Sequence, residues 1–177
     1  PFDGNGKIKL ENAYILFHEE EILVYEYISP FIKEVTEQGK SLLIIAQGLG
    51  DKVIDTLLKN RKNGYSNIVG VSAPGFGDRR NEILEDFAIW SGGTVIKTGF
   101  RIDQLNANQN YFGKVEEVII DPISTILIKG KGKKADIMAR INLIDKQIAN
   151  ELSDYAKERL IERLESLTKN NRASNNL

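Results

Sequence analysis

Three short apolar runs, Tyr14 to His18, Leu42 to Ala46 and Ile68 to Val71, alternate with segments of helical periodicity. Runs this short and this continuously apolar suit strands covered on both faces, and their alternation with helices predicts βαβ units around a buried sheet. This half of the chain therefore reads as α/β. Ser29-Pro30 has the form of an N-cap followed by proline in the first turn, predicting a helix from there to Gly39. A second helix is expected after Gly50-Asp51 and before Gly64. A third should begin near Asp78, carry Ile83, Leu84, Phe87 and Ala88 inward, and stop at Gly92-Gly93 ahead of a strand Thr94 to Ile96. Trp90, at the end of that helix, is read as a packing residue.

The stretch Ala73-Pro74-Gly75-Phe76-Gly77-Asp78-Arg79-Arg80 joins the third run to the third helix. Two glycines around one aromatic ring permit a sharp corner, with Pro74 fixing φ at its start, Phe76 turned inward and Asp78 opening the helix. A phosphate loop would end in Gly-Lys-Ser/Thr, and here Asp78 would repel an anion. The stretch is read as a structural corner.

The 177 residues, 41% hydrophobic, are enough for one core and one compact domain. With 24 basic against 25 acidic residues the net charge is -1, which provides no global field for nucleic acid or anionic lipid. No apolar run approaches the length of a membrane span and no signal sequence opens the chain, so it reads as soluble, with neither nucleic acid nor membrane as partner. The absence of cysteine removes disulfides, thiolate metal sites and cysteine nucleophiles. Proline at position 1 is read as the start of a piece excised from a longer chain.

Gly99 to Gly113 is polar and Asn/Gln-rich, and is expected to be a surface loop or a weak helix. Val115 to Ile120 and Ser124 to Ile128 read as antiparallel strands joined at Asp121-Pro122. After the turn Gly130 to Lys134, Ile137, Ile141, Ile144, Ile148 and Leu152 recur at helical spacing. Tyr155, Leu160, Leu164 and Leu167 continue after a break at Ser153-Asp154, predicting a helical hairpin over 134–168. Residues 169–177 are expected to form a disordered tail.

No catalytic constellation emerges. His18 is followed by three glutamates, but neighbours on an extended strand point to opposite faces, so His18 and Glu19 cannot converge on one metal ion. No serine lies in a nucleophile elbow. The lysines of the Gly130 to Lys134 turn could grip phosphate or simply be solvated. Catalytic, cofactor-binding and metal-ligating residues are accordingly all assigned as none.

Apolar residues are instead in excess on the first two helices. At about 100° per residue, Phe31 and Val35 share the inward face of the first while Ile32 points sideways. Val53 and Leu57 form the inward stripe of the second, with Ile54 and Leu58 displaced laterally. If the two helices lie side by side, these lateral residues could line a shallow apolar groove for an extended or helical segment, or could pack on one another.

Taken in order, Gly39-Lys40, Leu42 to Ala46, the corner Ala73 to Arg80, Gly92-Gly93-Thr94-Val95-Ile96, and Ser153-Asp154-Tyr155 with Glu158, Leu160, Glu162 and Arg163 resemble the apical domain of group I chaperonins, the GroEL class. The resemblance runs from about Lys9 to Leu167. It implies a three-layer, swivelling β/α/β-type α/β domain over residues 1–168, with a mixed sheet, flanking helices and the C-terminal hairpin. It also implies that a groove between two helices binds non-native polypeptide and the mobile loop of a co-chaperonin. By position, the groove residues would be Ser29 and Ile32 on the first helix and Ile54, Leu58 and Lys59 on the second, with Phe2 standing for an aromatic pair upstream. Ser29 and Lys59 stand where family members commonly have apolar residues. Gln47 and Gly48 stand where acids are common, at an edge used for ring contacts.

The resemblance further implies a parent that is a homo-oligomeric seven-membered ring hydrolysing ATP, with magnesium, in an equatorial domain whose motifs this sequence lacks. No ATPase activity is expected of the chain itself. High Asn, Lys and Ile content suggests an organellar lumen, with a parasite plastid of the apicoplast type favoured over a mitochondrial matrix or a bacterial cytoplasm. Two other readings stay open: a small-molecule or nucleotide-binding α/β domain, and an assembly domain whose groove is occluded, with Ile54 and Leu58 buried in the monomer.

Overall fold

The computed structural model describes residues 6–64, 67–101, 110–169 and 171–175, the last as backbone. In chain order the elements are β1 (Ile8–Glu11), β2 (Tyr14–His18), β3 (Glu21–Ile22), α1 (Tyr25–Glu37), β4 (Leu42–Ala46), β5 (Gly48–Leu49), α2 (Asp51–Lys62) and β6 (Ile68–Ser72). They continue with α3 (Gly77–Ser91), β7 (Val95–Ile96), β8 (Phe112–Ile120), β9 (Ser124–Gly130), α4 (Lys134–Asn150), α5 (Asp154–Thr168) and β10 (Asn171–Asn175). The fold is α/β. The three apolar runs form the parallel strands β2, β4 and β6, joined by βαβ crossovers through α1 and α2. The main sheet is mixed, ordered β10-β9-β8-β2-β4-β6, with β1 antiparallel on β8 and β7 parallel to β2. A two-residue ladder pairs β3 with β5 in parallel.

Side chains alternate across the strands and divide the core in two. Leu16, Leu42, Ile44, Ala46 and Ile68 face α1 and α2, where Ile28, Phe31, Ile32, Val35, Val53 and Leu57 meet them. Ile15, Phe17, Leu43, Ile45 and Val71 face the other way, onto Leu84, Phe87 and Ala88 of α3 and onto Ile144 and Leu167 of the hairpin.

Several sequence expectations need correction. Helix α1 begins at Tyr25, with Val24 at its N-cap position, so Ser29 is not a cap and Pro30 lies inside the helix. Proline brings no N–H to the carbonyl four residues back, that of Glu26. The Ser29 hydroxyl donates to that oxygen at 2.9 Å. Ser29-Pro30 is thus a self-repaired interruption within a helix rather than a helix start. Helices α2 and α3 begin and end close to where the sequence places them.

At the corner, Gly75 and Gly77 have φ of +85° and +54°, a region that side chains with a Cβ avoid. Phe76 does not turn inward: it is 75% exposed. The inside of the corner is occupied by Ile83, whose Cδ1 would lie 3.4 Å from a Cβ on Gly75. Arg80 closes the turn from outside, donating from Nε to the Gly75 carbonyl at 3.1 Å with its guanidinium 6.0 Å from the Phe76 ring centroid.

The antiparallel pair β8 and β9 and the hairpin α4 and α5 form as expected, with the Ser153 hydroxyl accepting from the Ala156 N–H at the start of α5. Where a disordered tail was expected, Asn171–Asn175 instead runs antiparallel along β9. An edge strand offers a row of backbone donors and acceptors to any extended segment, whatever its polarity. The expected loop between Gly99 and Gly113 lies largely outside the described residues.

The turn from Gly130 to Lys134 tucks under the end of α3. The Gly132 N–H donates to the Trp90 carbonyl at 2.9 Å and the Lys131 N–H to Lys114 at 2.9 Å, so these two donors serve the fold rather than a phosphate. Trp90 is buried there, as expected. A Cβ on Gly132 would stand 2.1 Å from the Ile89 carbonyl oxygen and 2.6 Å from that of Trp90. Both are backbone atoms with no rotamer to move. Gly132→Ala is therefore expected to lose about 1–3 kcal/mol of stability, read from urea unfolding midpoints at constant slope.

The hairpin is anchored to α3 by a buried ion cluster as well as by apolar contact. Asp86, 2% exposed, takes hydrogen bonds from Arg140 Nε at 2.8 Å and from Arg163 Nε at 2.8 Å, and Arg163 reaches Glu82 at 2.6 Å. Arg140 belongs to α4 and Arg163 to α5, so one carboxylate joins three helices.

Candidate apolar binding surface

The flank of α2 carries an apolar opening. By helical angle, Val53 and Leu57 point into the core, Ile54, Leu58 and Arg61 lie to one side, and Thr56 and Asn60 to the other. The first side faces the edge of β6. There Ile54, Leu57, Leu58, Leu49, Ile68 and Gly70 line a hollow of about 570 Å³, with Arg61 and Lys62 at one end. Ile54 is 39% and Leu58 50% exposed. Neither is needed to close the core, and together they present an apolar strip to solvent.

The second side faces α1. Ser29, Ile32, Lys33 and Thr36 line a separate hollow of about 620 Å³ with Tyr25 and Asn60, and Asn60 donates to the Tyr25 hydroxyl at 3.2 Å. Ile32 is almost fully buried, so it forms a floor rather than an exposed contact. The expected single groove uniting Ile32 with Ile54 and Leu58 is accordingly divided: Ser29 and Ile32 lie in the hollow between α1 and α2, Ile54 and Leu58 in the one between α2 and β6. Lys59 is exposed and, by angle, on the α1 side of α2. Phe2 lies outside the described residues.

Two apolar residues beyond those expected lie near this surface, Leu49 in the lining of the hollow and Leu23 at the start of α2. Leu49 covers the bare backbone of Gly70, its Cδ1 lying 2.0 Å from where a Cβ on that glycine would sit. Leu23 is exposed and packs over Gly50 at the start of α2, its Cδ2 3.4 Å from the corresponding Cβ position. Leu23 and Val24 fall between β3 and α1 outside any periodic segment, and an apolar pair in such a connection is the signal that could have revealed them.

Electrostatically the α2 surface is graded. Asp51 lies in the first turn of α2, and Lys59, Arg61 and Lys62 in the last, each sign at the helix end whose dipole favours it. The apolar strip therefore runs toward a cationic end.

His18 stands apart from any group of three or more potential metal ligands among the described residues. Its ring is buried between β2 and α1. The Tyr27 hydroxyl donates to the Phe100 carbonyl at 3.0 Å, so His18 Nε2, 3.2 Å away, donates to the Tyr27 oxygen. Nδ1 lies 2.9 Å from the Glu20 carbonyl oxygen, to which it donates when protonated, and 3.1 Å from the Glu20 N–H, from which it accepts when neutral there. Burial lowers the His18 pKa below its ordinary value, against the Glu20 carbonyl and the Glu19 and Glu20 carboxylates that favour a proton. The unfolded chain thus takes up this proton near pH 6.5, before the folded one does. Stability is expected to be complete above about pH 6.5 and to fall with further acidification. In His18→Gln that slope should flatten, as measured by thermal unfolding between neutral and mildly acidic pH.

No protein-family model matches the chain.

Proposed function

We propose that this chain is the polypeptide-binding domain of a group I chaperonin-type folding ring, holding non-native polypeptide and a co-chaperonin loop on the apolar flank of α2. The observation that carries the reading is the exposure of Ile54 and Leu58 over the hollow beside β6. A reading in which the groove is occluded requires both to be buried, and they are not. A nucleotide site at the Gly75 to Arg80 corner is disfavoured by its acidic first helical turn, Asp78, and by the exposed Phe76.

Polypeptide capture needs no catalysis. Apolar burial is worth about 25 cal/mol per Å² and is indifferent to sequence, so a strip of this kind binds weakly and broadly, and several copies in a ring would convert weak contacts into retention. The ATP hydrolysis, ring assembly and organellar setting in this proposal belong to the parent protein. The test is titration of the chain with a permanently unfolded, reduced and alkylated protein, with a co-chaperonin mobile-loop peptide, and with ATP. Binding of the first two without the third is expected, whereas nucleotide binding alone would overturn the proposal.

A further inference from the structure

Strand β6 lies at the end of the sheet and has one hydrogen-bonded neighbour, β4. The Asn67 carbonyl accepts from the Leu42 N–H at 3.0 Å and the Ala73 N–H donates to Ala46 at 2.6 Å, which fixes which residues face β4. Because peptide groups alternate along a strand, Ile68, Gly70 and Ser72 turn their N–H and C=O groups to the other edge. Among the described residues no strand pairs with that edge.

The edge is also unguarded by sequence. Proteins protect exposed edges with charges, proline, bulges or a covering segment. The opposite end of this sheet is formed by β10, which pairs with β9 and reads Asn-Arg-Ala-Ser-Asn, a polar sequence with a charge. Strand β6 reads Ile-Val-Gly-Val-Ser, with no charge and no proline, and runs beside the hollow that Leu49, Ile54 and Leu58 line.

We infer that the free edge of β6 accepts an extended client segment as an added strand, its alternate apolar side chains seated in the α2 hollow and an acidic residue beside Lys62. The inference rests on the polypeptide-binding reading and assigns it a conformation and a location outside the hollow between α1 and α2. Backbone pairing gives affinity without reading sequence, and the hollow selects for apolar residues at every second position. The occupant is a peptide because the groups that no described strand pairs are backbone donors and acceptors in strand register. Its acidic end follows from the cations that close the hollow at the Ile68 end.

The probes are a synthetic peptide alternating valine and threonine with glutamates at one end, and the same peptide N-methylated at alternate backbone nitrogens. The first should slow amide hydrogen exchange about tenfold or more at Ile68, Gly70 and Ser72 and leave Val69 and Val71, already bonded to β4, unchanged. The N-methylated peptide, with side chains intact, should bind about tenfold more weakly. Lys62→Glu should weaken the acidic peptide, and a peptide ending in lysines should recover the loss. Equal binding of the two backbones, or protection without alternation, would overturn strand addition and leave polypeptide capture standing. Failure of the peptide while the unfolded protein still binds would do the same, whereas failure of both would remove the two readings together.

Discussion

Replacing Asp86 with alanine is expected to lower the unfolding free energy by about 3–5 kcal/mol, the largest stability effect we anticipate for a single substitution. The carboxylate is 2% exposed and is shared by Arg140 and Arg163, so its removal strands positive charge that water cannot reach easily. Two features set the size of the loss. Arg163 keeps Glu82 at 2.6 Å and Arg140 keeps Glu85 at 3.4 Å, which moderates it, while the near-complete burial of Arg163 Nε beside Asp86 increases it. A loss this large is a substantial part of the margin of a domain of this size. Urea unfolding of Asp86→Ala beside Asp86→Asn, which keeps the shape and one acceptor, measures it. A loss below about 1 kcal/mol for alanine would mean that the hairpin is held by its apolar contacts alone.

The largest functional effect is expected from Ile54→Glu combined with Leu58→Glu. Both side chains are partly exposed and outside the buried core, so the fold should survive, while two carboxylates replace the apolar strip over the hollow. Burying even one unpaired carboxylate against a client is prohibitive, and binding of unfolded protein or mobile-loop peptide should fall at least about 100-fold, to below detection for an isolated domain. Calorimetric titration with circular dichroism as a fold control decides it. Undiminished binding would move the site to the hollow between α1 and α2, where a bulky Ser29→Trp would then be the informative variant.

These residues also show what could be read before the structure. The boundaries of α2, α3 and the hairpin were legible because glycines, Asp51 and Ser153 punctuate them. The start of α1 was not, because Ser29-Pro30 carries the local signature of an N-cap, and the repair of the Glu26 carbonyl that permits it mid-helix depends on a rotamer. Periodicity correctly set Ile54 and Leu58 to one side of the inward stripe. It could not say whether that side met α1 or the edge of β6, since that is decided by the order of strands in the sheet. Asp86 sits between Leu84 and Phe87 in a helix read for its apolar face, and its partners lie 54 and 77 residues away, beyond the reach of any local pattern.

The sheet separates two cores that share no side chain: α1 and α2 pack on one face, α3 and the hairpin on the other. The domain is in this sense thermodynamically compartmented. Perturbations on opposite faces should combine additively, as distant sites without common partners do. The face that carries α1 and α2 is therefore free to diverge in sequence, trading apolar for polar residues, without drawing on the ion cluster that secures the hairpin behind it.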